Sequence, residues 1–118
     1  LSSDFRGALA ENSVMQAFSS NGLRTYYWVP PSSWKTSGEL DFLLQTDRME
    51  IVPVEVKSAR NVRARTLGSF MDKARSPYAY ILSENNFARS ETDDGRELRH
   101  LPLYAAGFIG ANCLKGSL

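Results

Sequence analysis

Cysteine and histidine are nearly missing from this chain: Cys113 and His100 are the only residues of their kinds. A lone thiol excludes an internal disulfide and fits a reducing compartment, and the apolar segment around Cys113 points to a packed thiol rather than a nucleophile with a nearby helper base. An excess of charge of one sign is lacking too. Fourteen basic and 13 acidic residues leave +1, so no global field draws the chain to nucleic acid and any basic signal must be local. No apolar run approaches the roughly 18 residues of a membrane-spanning helix, and no signal-peptide pattern is seen. These absences point to the cytoplasm and away from a membrane. Internal repeats and low-complexity tracts are absent. So is a phosphate-binding G-x-x-x-x-G-K-[ST] loop, because Gly110 and Lys115 lack the second glycine between them.

What the chain has is enough for one domain. Its 118 residues, 42% apolar and 23% charged, suit one soluble domain with one core and are too few for two. Leu1 in place of methionine suggests an excised or processed piece of a longer parent. The stretch Ile51-Val52-Pro53-Val54-Glu55-Val56-Lys57 reads as a strand whose Val52, Val54 and Val56 share an apolar face. Glu55 and Lys57 share the other, about 7 Å apart by Cα. Upstream, Gly38 to Leu44 reads as a second strand, joined to the first by a turn at Thr46-Asp47-Arg48. Pairing across that turn sets Asp41 opposite or nearly opposite Glu55, so two carboxylates and a lysine converge. Like charges at that range repel, and a cation or a raised pKa must offset the repulsion; a divalent metal is the usual cation.

Around this centre, Ser2, Ser3 and Asp4 offer N-caps for a helix to about Ser20, stopped by Asn21-Gly22. Glu11 lies on its apolar stripe with Ala8, Val14, Met15 and Phe18, either reaching water at the stripe's edge or facing the same site. Leu23 to Val29 reads as the first strand, ended by Pro30-Pro31. In the loop that follows, Trp34 either covers its own domain or stacks on a base. Residues 57 to 75 hold six basic side chains, Arg60, Arg63 and Arg65 among them, against one acidic one, Asp72. This arm is either a solvated face or a phosphate-contacting rim. A helix through Leu67, Phe70 and Met71 and a strand at Tyr78 to Leu82 complete a βαβ unit. Glu84 to Gly95 reads as a mobile loop, Glu97 to Leu101 as a short edge strand carrying His100 at the surface, and Pro102 as the start of a final helix.

Glu11 on a helix, Asp41 on one strand and Glu55-Val56-Lys57 on the next resemble the PD-(D/E)xK nuclease superfamily, with Leu40 where the motif's name has proline. Gly7 to Asn12, Tyr27-Trp28, Gly38 to Phe42, Pro53 to Ser58 and Leu101 to Ala105 resemble, over nearly the whole chain, the uncharacterised C-terminal domain of prokaryotic AAA-type ATPases. The resemblance implies an α/β restriction-endonuclease-like core: a three-strand antiparallel meander plus a parallel strand, flanked by helices. It also implies a parent whose N-terminal ATPase part lies outside this chain.

Under that resemblance Asp41, Glu55 and the Val56 carbonyl, with Glu11 directly or through water, are expected to ligate Mg²⁺ or Mn²⁺. Lys57 is expected to position or deprotonate the attacking water, and Arg60, Arg63 and Arg65 to hold flanking phosphates of a nucleic acid, expected to be DNA. Two other roles stay open: a non-catalytic module that docks DNA or a protein for the ATPase, and a remnant in which Glu55 and Lys57 are only an ion pair. The arm is testable by itself. Changing Arg60, Arg63 and Arg65 together to alanine should weaken non-specific nucleic-acid binding and flatten its salt dependence by about one unit per lost phosphate contact. Unchanged affinity and slope in a filter-binding titration would assign the arm to solvent or to a protein partner.

Overall fold

The first helix ends where its sequence can no longer extend it. In the structure, a computed structural model that describes residues 3–28, 40–57 and 65–109, and the side chains of all of these except 3–8, 28, 40, 41, 65, 66 and 69, α1 spans Ser3–Ser20. Gly22 then takes φ +73°. The Leu23 amide donates to the Phe18 carbonyl and the Gly22 amide to the Ser19 carbonyl, each at 3.1 Å, which is the double bond of a glycine-terminated helix. Phe18 and Leu23 join the same core, so the cap also aims the chain into the first strand.

Six strands follow: β1 (Arg24–Trp28), β2 (Leu40–Gln45), β3 (Ile51–Val56), β4 (Tyr78–Ser83), β5 (Ala88–Glu91) and β6 (Glu97–Pro102), with α2 (Arg65–Ala74) between β3 and β4. They form one mixed sheet in the order β1-β2-β3-β4-β6-β5. β1, β2 and β3 make the expected antiparallel meander, and β4 lies parallel to β3. The β2–β3 turn is organised by Thr46, whose hydroxyl accepts the Arg48 and Glu50 amides at 3.3 and 3.2 Å while Met49 takes φ +64°.

Alternation gives the sheet two apolar faces. Phe42, Leu44, Val52, Val54, Val56, Tyr80 and Leu82 pack under Val14 and Phe18 of α1 and under Ala105, Ala106 and Ile109. On the other face, Ala79, Ile81 and Leu98 pack under Leu67, Phe70 and Met71 of α2. β4 is buried along its whole length, as its nearly unbroken apolar run requires of a strand covered on both sides. The Glu55 face of β3 is therefore not an open one, and Pro53 and Glu55 are buried like the valines.

Three expectations need correction in the C-terminal third. Glu84 to Gly95 contains β5, which is the sheet edge; the Asp94-Gly95 turn, with Gly95 at φ +86°, is a hairpin signal that closes β5 onto β6. β6 is interior, parallel to β4 and antiparallel to β5, so His100 is not on an edge strand. In place of a full helix from Pro102, a 3-10 turn at Leu103–Ala105 leads into helical residues 106–109. Trp34, Arg60, Arg63 and Cys113 lie outside the described residues.

α2 ends like α1, with the Ser76 amide donating to the Met71 carbonyl at 3.0 Å, yet Arg75 holds the left-handed position at φ +53°. A side chain there costs about 1 kcal/mol relative to glycine. In urea denaturation Gly22→Ala should therefore lose about 1 kcal/mol, while Arg75→Gly should lose nothing or gain a few tenths. A neutral Gly22→Ala would contradict this account of the caps.

Candidate active site at the end of β3

Three parallel strands, β3, β4 and β6, deliver their carboxyl ends to one edge of the sheet, the side on which open α/β sheets place their ligands. At that edge the Lys57 amide donates to the Leu82 carbonyl at 2.8 Å, so the strand pairing holds Lys57 although the strand proper ends at Val56. Its Nζ lies 2.9 Å from Glu55 Oε1; the carboxylate side chain is 5% exposed and the lysine 39%. Glu55 is desolvated because its β4 neighbour is the fully buried Ile81. Its other oxygen, Oε2, is buried with no hydrogen-bond partner among the described residues.

Burial pushes the Glu55 carboxyl above the usual carboxylate range, and the hydrogen bond and charge of Lys57 pull back only part of that rise. An ionised pair in such a place loses hydration that one contact does not restore. The arrangement favours a second cation or donor at Oε2.

The other sequence candidates are placed unequally. β2 and β3 pair Phe42 with Val54 and Leu43 with Pro53; continued by one residue, this register sets position 41 across from position 55. Residue 41 belongs to β2, and its carboxylate lies outside the described side chains. Glu11 is partly buried on α1, the helix that packs on the opposite face of the sheet from Glu55. Arg65 opens α2, and its guanidinium is also outside the described side chains. Among the described residues, no group of three His, Cys, Asp or Glu side chains could hold a metal ion.

His100 is nearer to this site than its sequence position suggests. Ile81 pairs with Glu55 on one side and with His100 on the other, which puts His100 on the Glu55 face, two strands or about 10 Å away. Its Nε2 shares a 2.7 Å hydrogen bond with Ser90 Oγ, and burial lowers its pKa, which favours the neutral imidazole.

Comparison with known proteins decides the family. The model of a domain of unknown function, DUF4143, matches residues 6–104. The chain belongs to that family. DUF4143 domains are uncharacterised and are commonly found in proteins associated with AAA-type ATPases. No curated protein and no solved structure matches the chain. Within this DUF4143 chain, the described residues also include no helix long and apolar enough to cross a membrane.

The buried pair predicts a pH signature. Because the folded-state pKa of Glu55 is raised, its contribution to stability is present while the group is protonated and is lost as pH rises through that pKa. Glu55→Gln mimics the protonated form and should escape this loss. In metal-free buffer its Tm should match the wild type near about pH 4 and exceed it near about pH 7. An identical difference at both pH values would show that Glu55 titrates normally.

Proposed function

We propose that this DUF4143 domain carries a metal-dependent phosphodiesterase site of the PD-(D/E)xK type, acting on nucleic acid, with DNA as the expected substrate. The observation that supports it is the Glu55–Lys57 pair at the carboxyl end of β3, in which one carboxylate oxygen meets the ammonium and the other is buried without a partner among the described residues. A hard oxygen donor of that kind suits Mg²⁺ or Mn²⁺, which take carboxylates and keep several waters. The residues that would hold the ion are Glu55 and Asp41, whose positions come across from each other when the β2–β3 register is continued by one residue. Glu11 stands on the helix of the opposite face, so a direct bond from it is not part of the proposal. A bound divalent ion would acidify a water and neutralise charge developing on the phosphoryl oxygens.

The chain's own residues have separate tasks. Glu55 binds and orients. Lys57, with its side chain partly in solvent and its backbone held by the strand ladder, would position the attacking water, or deprotonate it when present as the neutral amine, and as ammonium would stabilise negative charge at the phosphorus. Arg65, at the start of α2, with Arg60 and Arg63, is assigned to flanking phosphates. The association of DUF4143 with AAA-type ATPases supports a parent whose ATPase part moves or opens the nucleic acid, and a cytoplasmic setting agrees with that partner.

Calorimetric titration with Mn²⁺ followed by a cleavage assay on mixed nucleic acids tests the reading. Asp41→Ala and Glu55→Ala should each weaken Mn²⁺ binding and abolish cleavage together. Lys57→Ala should leave Mn²⁺ binding intact or slightly tighter, because its ammonium repels the ion, and should lower the cleavage rate by about 10²-fold or more. If the wild-type domain binds no Mn²⁺ at millimolar concentration and cuts nothing, the site is an ion pair and the domain serves its ATPase as a docking module.

A further inference from the structure

Beyond β4, at the far edge of the sheet from the proposed ligand pair, β5 and β6 build a second charged cluster. Arg89 and Arg99 stand directly opposite each other in the antiparallel register. Like charges so placed repel. Glu97 offsets part of this, with Oε1 3.4 Å from Arg89 Nη1 and 3.3 Å from Arg99 Nε. Two guanidinium groups thus share one carboxylate. Glu91, the next carboxylate on β5, pairs opposite Glu97 and does not line the cavity beside Arg99.

Arg99 is held in place. Its guanidinium lies 3.7 Å from the centroid of the Tyr78 ring and beside the Tyr80 hydroxyl, its side chain is only 13% exposed, and its Nη1 is buried with no hydrogen-bond partner among the described residues. Beside it opens a cavity of about 310 Å³ whose lining includes Phe87, Arg89, Arg99 and Leu101. The Phe87 ring meets Tyr104 edge to face at 6.4 Å, and both rings are exposed, at 53% and 73%. The site therefore joins two arginines that share one carboxylate, Arg99 held and Arg89 exposed, to an apolar and aromatic wall.

We propose that this cavity binds a small organic anion: a phosphate or carboxylate carried on an aromatic ring. Arginine forks recognise either anionic group through paired hydrogen bonds, and a desolvated, stacked guanidinium gives up little freedom in doing so. The volume lies at the lower end of ligand cavities, about 300 to 1,000 Å³, so it accommodates one ring with one anionic group. The ring would lie against Phe87 and Leu101, and the anion would bind Arg89, sharing it with Glu97, with the charge of the buried Arg99 guanidinium beside it. This assignment does not depend on the nuclease reading.

The test is a titration of the 118-residue chain at constant ionic strength, followed by backbone amide shifts, with phenyl phosphate and phenylacetate as probes and inorganic phosphate and benzyl alcohol as controls. At least one ring-bearing anion should bind ten or more times tighter than either control, with shifts centred on residues 87–89 and 99–101. The tighter arm identifies phosphate or carboxylate. Arg89→Gln and Phe87→Ala change exposed side chains and should each weaken binding about fivefold or more, whereas Arg48→Gln in the β2–β3 turn should leave it unchanged. Arg99→Gln should abolish it, and the two exposed variants decide the matter if that protein does not fold. Failure of both probes at millimolar concentration, shifts centred elsewhere, or equal weakening by Arg48→Gln would overturn the assignment.

Discussion

A carboxylate buried on a strand that is covered on both faces is the constraint around which the rest of the site is arranged. β3 lies between an antiparallel neighbour and a parallel one, under α1 on one side and α2 on the other. Such a strand has no face to spare for a charge. Glu55 nevertheless occupies it, with Lys57 against one oxygen and nothing described against the other. Replacing such a pair by apolar residues of similar volume is often neutral or stabilising, so packing alone gives no reason for a glutamate here. The carboxyl end of a parallel strand, beside the start of the β3–α2 connection, is where a polar ligand can reach a buried carboxylate without entering the core.

Much of this was legible in the sequence because the local signals agreed with one another. Gly22 after an amphipathic stripe, the β-branched alternation of Val52, Val54 and Val56, and the Thr46-Asp47-Arg48 turn each have one good structural solution, and those solutions fit together. The reach from Glu55 to Lys57 followed from the strand period alone. What the strand period did not show is that the Glu55 face of β3 is covered as well. Alternation along one strand cannot reveal that α2 covers its second face, since this depends on Leu67, Phe70 and Met71 returning across the sheet.

The C-terminal third was less legible for a different reason. β5, Ala88 to Glu91, is exposed at every position, so it has no apolar alternation to announce it. Only Asp94-Gly95 marked a hairpin, and the acidic run around it reads equally well as a loop. Recognising β5 moves β6 into the interior, brings His100 onto the Glu55 face and sets Arg89 opposite Arg99. None of these relations exists in the sequence taken as a line. The position of Glu11 likewise depends on which face α1 covers, a choice its own stripe does not encode.

The Glu55 oxygen that has no partner among the described residues is the one proposed to ligate a metal ion. Anomalous diffraction from crystals of the domain soaked in Mn²⁺ measures this directly, because it locates the ion independently of any activity. A manganese peak within coordination distance of a Glu55 carboxylate oxygen and of the Asp41 carboxylate, with Lys57 still alongside Glu55, is the predicted result. Full-occupancy crystals with no peak near Glu55, and with Oε2 bonded instead to another protein group, would contradict it.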